Sequence, residues 1–207
     1  MLLATIAREA SAEVEISRSR FLATAHRIGS LDELAELVRA TRRRHPDARH
    51  VCSAAVAGPH GEASRSNDDG EPGGTAGAPI LSVIAGRELT DVAVLVVRWF
   101  GGVKLGTGGL VRAYGGIAAG ALDIAGRLLR VPASELTGSL AIADAPRIDH
   151  ALRSAGHEPT VDYGAGGAAL RLTVADASLP AAESLLAQLG VEHEARTGLI
   201  LEQRARG

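Results

Sequence analysis

The chain has 207 residues, 46% of them hydrophobic, with a mean hydropathy of +0.11 and a net charge of −2. That length buries one large core or two small ones, and the near-neutral balance argues against a general nucleic-acid sponge. No run of about 18 apolar residues is present to span a membrane, the opening MLLATIAREASAEVE meets acidic residues too soon for a signal peptide, and the single cysteine excludes an internal disulfide or a multi-cysteine zinc site, so a cytoplasmic location is expected.

Glu13–Ile16 and Phe21–Ile28 read as two short strands around a turn at Ser17–Arg20. Ser30, with Glu33 three residues on, forms a capping box, and Leu31, Leu34, Leu37 and Val38 recur at helical spacing. This helix runs into Arg42, Arg43 and Arg44, a solvated end that suits the negative pole of the dipole, and His45-Pro46 stops it. Arg49–Ala57 reads as a strand that places His50 and Cys52 on one face. A Cys-His nucleophile is conceivable from that pair, but a small buried hydrophobe is the preferred reading of Cys52.

Residues 58–77 form a long polar stretch, expected to be a functional or mobile loop. Within it Asp68, Asp69 and Glu71 crowd three carboxylates into four residues. They could hold a divalent cation through oxygen ligands, or form a turn whose Asp side chains bond the backbone. The turn is preferred, because the alternating ligands of a calcium loop are absent. Thr75 is a candidate N-cap for a helix carrying Ile80, Leu81 and Ile84. A buried strand, Val92–Val97, then hands over to a helical pattern from about Leu110 to Ala125.

The junction from Arg98 to Gly116 holds seven glycines, three of the five aromatics and Lys104, the only lysine. Such a strand-to-helix turn presents backbone N–H groups with a helix dipole behind them, and glycines let a ligand come close, so an anion is the expected guest. The familiar phosphate loops do not fit. A Walker loop needs its lysine after the last glycine, and Gly106-x-Gly108 meets Val111 where a dinucleotide loop needs glycine.

DDGEPGGTAGAPIL at 68–81, VRWFGGVKLGTGGLVRAY at 97–114 and ARH at 48–50 together resemble the YigZ/IMPACT family, over roughly residues 13–130. Trp99 stands where tyrosine is more usual and Gly73 where serine is common. The resemblance implies an N-terminal α+β domain of the left-handed βαβ type, shared with a small-subunit ribosomal protein domain and with domain IV of elongation factor G. It also implies a smaller ferredoxin-like C-terminal domain. For the eukaryotic relatives it implies translation regulation through an extra N-terminal partner-binding domain. That domain has no expected counterpart here, since the motif region begins almost at residue 1.

The second half independently reads as βαββαβ, a ferredoxin-like order. Its strands are Leu136–Ile142, Pro159–Tyr163, Ala169–Val174 and Val191–Leu201, with helices opened by Pro146 and by Ser178 and Pro180. Arg130–Ser134 is expected as a linker, giving domains 1–133 and 134–207 with net charges of +2 and −4. The function expected from these features is a non-catalytic, translation-associated module that binds structured RNA or the ribosome, with no cofactor and no membrane partner. Its surface would comprise Arg65, Thr75, Arg98, Gly101, Gly102, Lys104, Gly106, Gly108, Gly109 and Arg112. With only five aromatics, shape and phosphate contacts are expected in place of base stacking. Two alternatives stand beside it: an enzyme or binder acting on a phosphorylated small molecule or nucleotide, and a protein-interaction module using the acidic C-terminal domain.

Overall fold

The computed structural model describes residues 2–204. The chain divides into two compact units, one running to Leu129 with Arg204 added and one spanning Arg130–Gln203.

The first unit is built on an antiparallel sheet with strand order β2-β3-β6-β4-β5. Its members are β2 (Ala10–Ile16), β3 (Ser19–Arg27), β4 (His50–Ala57), β5 (Ala63–Asn67) and β6 (Val92–Trp99). β3 and β4 each run antiparallel to β6, so they run parallel to each other on its two sides and are joined by helix α1 (Glu33–Arg44). The period of two on β6 divides the core. Val92, Val94 and Val96 face helices α2 (Gly77–Gly86) and α3 (Gly106–Ala125), while Ala93, Leu95 and Val97 face α1 with Leu34. Covered on both faces, β6 reads as an unbroken apolar run without alternation. A two-residue strand β1 (Thr5–Ile6) pairs with Leu128 and Arg127.

The hairpin turn between β2 and β3 places Ser17 and Arg18 at φ of 49° and 64°, the mirror-image turn that matches strand twist. Only half of the expected capping box forms. Glu33 reaches back to the amides of Gly29 and Ser30 at 2.7 and 3.0 Å, but no side chain caps α1, which begins at Glu33 itself. Two expectations need correction. Residues 63–67 of the polar stretch are a strand, because β4 offers them an open edge from Ser53 to Ala57. Arg130–Ser134 is not a linker but lies inside the continuous strand β7 (Arg127–Leu140).

The second unit follows β7 with α4 (Ala145–Ser154), β8 (Thr160–Gly164), β9 (Gly167–Ala175), α5 (Leu179–Gln188) and β10 (His193–Arg204). Its strands are ordered β10-β7-β9-β8. Alternation along β9 sends Ala168, Leu170, Leu172 and Val174 into a core shared with Ile148 and Leu152 of α4 and with Ala182 and Leu186 of α5. Pro146 opens α4, and Gly156 at φ 84° ends it.

Candidate functional site

The loops at 68–76 and 100–105 both leave the sheet at the end where His50 of β4 pairs with Arg98 of β6. They converge on a hollow of about 450 Å³ whose lining includes Arg49, His50, Glu71, Phe100, Lys104 and Thr107. Lys104 also lines a second hollow of about 470 Å³, with Ser17, Gly109 and Arg112. The two therefore meet at the only lysine of the chain. Arg49, Lys104 and Arg112 are exposed and have no carboxylate partner among the described residues. A row of uncompensated cations thus follows one groove of the first unit.

Backbone constraints place this row. At Gly101 an added Cβ would overlap the backbone carbonyl of Arg18, while the Gly101 amide donates to Ser19 Oγ at 3.2 Å. The loop is thereby pressed onto the β2–β3 turn. Gly102 follows at φ 86°, a conformation that an L side chain resists. The chain then reaches Lys104 and enters α3 at Gly106. The helix starts four residues before the apolar pattern does, so Gly106, Gly108 and Gly109 belong to its first turn and not to a loop. Arg112 consequently sits in the second turn, yet its Nη1 lies 3.5 Å from where a Cβ on Gly108 would be. Its guanidinium folds back toward the helix start. Gly106, Thr107 and Gly108 are exposed and no side chain caps them.

The other glycine-led helix differs sharply. Asp68 accepts the amides of Gly74, Ala76 and Gly77 at 2.7, 3.0 and 2.8 Å, so the N-terminus of α2 already holds an anion belonging to the protein. Burial pushes the Asp68 carboxyl up, but the three amides outweigh it and hold it below the ordinary carboxylate range. Thr75 is not the N-cap. Its hydroxyl donates to the Pro72 carbonyl at 2.6 Å, and the residue is buried, which removes it from the proposed surface.

The other two carboxylates are also occupied. Asp69 accepts the Val51 amide at 2.6 Å and is bonded by Arg42. Glu71 Oε1 accepts from Arg98 Nη1 at 2.6 Å and from the Tyr114 hydroxyl at 2.8 Å, and His50 Nε2 lies 3.9 Å away. Among the described residues no group of three metal-ligating side chains forms. The loop is a set of turns stapled by its own acids, and none of the three acids projects an unbalanced charge into the groove.

This arrangement corrects two further assignments. Arg98 is not a surface phosphate contact: it is 5% exposed, paired with Glu71 and enclosed by the rings of Phe21 and Phe100 at 5.4 and 5.6 Å. Arg65 is exposed on β5 opposite Ala55, on the α1 face of the sheet, and does not line either hollow. His50 and Cys52 do not form a nucleophilic pair. His50 Nδ1 donates to the Asp69 carbonyl at 2.8 Å, while the Cys52 thiol donates to the Asp68 carbonyl at 3.0 Å. Burial pushes that thiol up to about 12, against the smaller lowering effect of the Tyr114 hydroxyl.

Two features of the groove escaped the sequence reading. Arg49 stood inside the ARH motif of the family resemblance but, being one of 21 arginines, was not among the expected surface residues. Phe100 is 44% exposed and stands at the rim, although a phenylalanine in a strand-to-loop position ordinarily signals core.

A family model described as the Impact N-terminal domain matches residues 17–122. The IMPACT family member YvyE of Bacillus subtilis is 43% identical over 111 residues, covering 54% of this chain and 51% of that protein. An IMPACT family member from Thermus thermophilus is 52% identical over 107 residues, 52% of this chain and 56% of its own. The aligned regions span about half to three-fifths of the curated relatives. A solved structure described only as a hypothetical protein is similar over 93% of this chain and 97% of its own, with 32% identity and a TM-score of 0.61.

Proposed function

This chain belongs to the IMPACT family, and from that premise we propose that it is a translation-associated binding module whose first unit holds the phosphate backbone of structured RNA, including RNA on the ribosome. The observation that carries this reading is the groove in which Arg49, Lys104 and Arg112 stand without carboxylate partners, at an uncapped helix start. Each cation that neutralises a phosphate releases counterions, so a row of three contributes affinity that depends on salt and very little on sequence. The acids that would repel phosphate are tied to amides, Arg42 and Arg98, which supports an anionic ligand over a metal-dependent reaction.

Two finer points of architecture belong to the same reading. The strand order β10-β7-β9-β8 with two intervening helices supports a ferredoxin-like second unit. The β3-α1-β4 crossover around β6 supports the βαβ arrangement that the family resemblance implies for the first. Co-sedimentation of the chain with ribosomes, and fluorescence anisotropy with a labelled RNA hairpin, test the proposal. Binding that weakens steeply with added salt supports it, and absence of binding at low salt refutes it.

A further inference from the structure

The hollow at the β6–α3 junction differs from a plain electrostatic track in having an aromatic wall. Phe100 is 44% exposed, and the protein meets its ring through one buried cation: the Arg98 guanidinium lies 5.6 Å from the ring centroid, and Arg98 is itself held by Glu71 and by the Phe21 ring. Gly101, pinned against Arg18 and Ser19, fixes the backbone that follows. The ring thus contacts a buried cation and is left open to solvent in part. Pro72, Leu105 and Leu110 extend the apolar lining, while Arg49 and Lys104 supply charge within the same 450 Å³.

From this geometry, and resting on the RNA reading above, we infer that the hollow takes one unpaired nucleotide of an RNA strand, its base stacked on Phe100 and its phosphate between Lys104 and Arg49. A paired base in a duplex has both faces covered by its neighbours and cannot offer one to the ring, whereas a bulged, looped or terminal nucleotide can. The chain's scarcity of aromatics argues against a multi-base platform. One exposed ring suffices for one base.

The test compares a short fluorescein-labelled oligoadenylate with a blunt RNA duplex of the same length, by anisotropy, for the wild type and for Phe100→Leu and Phe100→Trp. The leucine variant keeps apolar bulk and removes the π face. The inference expects wild-type preference for the single strand, an approximately tenfold loss of that affinity in Phe100→Leu with duplex affinity retained, and recovery in Phe100→Trp. Retained duplex binding also shows that the variant is folded. If Phe100→Leu binds both RNAs as the wild type does, or if the wild type prefers the duplex, the stacking inference is overturned while the phosphate-binding reading stands. If the wild type binds neither RNA, that reading itself falls. Saturable binding of free AMP without binding of oligoadenylate would place a small nucleotide in the hollow and overturn the strand as its source.

Discussion

Glu71 and Arg98, 27 residues apart, meet at 2.6 Å beneath the groove with side chains 4% and 6% exposed. This pair joins the 68–76 loop to the sheet end from which Lys104 departs. A buried pair is weak evidence of net stability, but breaking it leaves one charge in low dielectric without a counterpart. Arg98→Met should therefore destabilise the first unit by about 3–5 kcal/mol, and Glu71→Gln with Arg98→Met should recover part of that loss. Urea unfolding followed by the single tryptophan, Trp99, reads this directly, because Trp99 is partly buried and packs against the core of that unit.

The Asp68 cap predicts a dependence on acid. Its folded carboxyl titrates below its unfolded value, so its contribution is complete above roughly pH 4 and is lost as pH falls through the lowered folded value. Asp68→Ala should cost about 1 kcal/mol at neutral pH and flatten the fall in stability on acidification. Thermal melts of the two proteins between neutral and acidic pH compare them.

Cys52 is fully buried and its thiol is pushed up to about 12 by that burial. Very little thiolate exists at neutral pH, and access is closed as well. Iodoacetamide should leave the native protein unmodified and should alkylate it fully in denaturant, as intact mass shows. Rapid native modification would contradict the packed environment described here.

Gly101 is constrained by a close approach of backbone to backbone. Gly101→Ala would drive a methyl into the Arg18 carbonyl, and the loop would have to lift from the β2–β3 turn. A loss of about 1–3 kcal/mol is expected, together with weaker RNA binding, because Phe100 and Lys104 move with the loop. By contrast Gly73→Ser, the common family residue, meets no neighbour within 4 Å and should change neither property.

Much of this architecture was legible because the pattern was local. The unbroken apolar run of β6, the period of α1 and the Pro and Gly boundaries of α4 each followed from a few adjacent residues. What was hidden depended on partners distant in sequence. Arg98 looked like a surface cation, and only the arrival of Glu71 and the two phenylalanines made it a buried strut. Thr75 looked like a cap until Asp68, eight residues before Ala76, took the amides first. β5 carries no apolar alternation, since every one of its residues is exposed, so its assignment came from the open edge of β4 and not from its own sequence. In the groove, Lys104 was conspicuous by its uniqueness, whereas Arg49 and Phe100, though both stand inside the family motifs, gained a place in the site only from what the fold set beside them.

The central claim is that unpaired cations at the start of α3 hold a phosphate backbone. It is tested most directly by the salt dependence of RNA affinity for the wild type and for Lys104→Glu combined with Arg112→Glu. Both positions are exposed and unpaired among the described residues, so the double variant should fold normally. For the labelled RNA hairpin the account predicts that binding is lost or nearly so, and that any remaining affinity shows a log–log salt slope shallower by about 2, one unit for each lost phosphate contact. Wild-type affinity and slope in the double variant would contradict it.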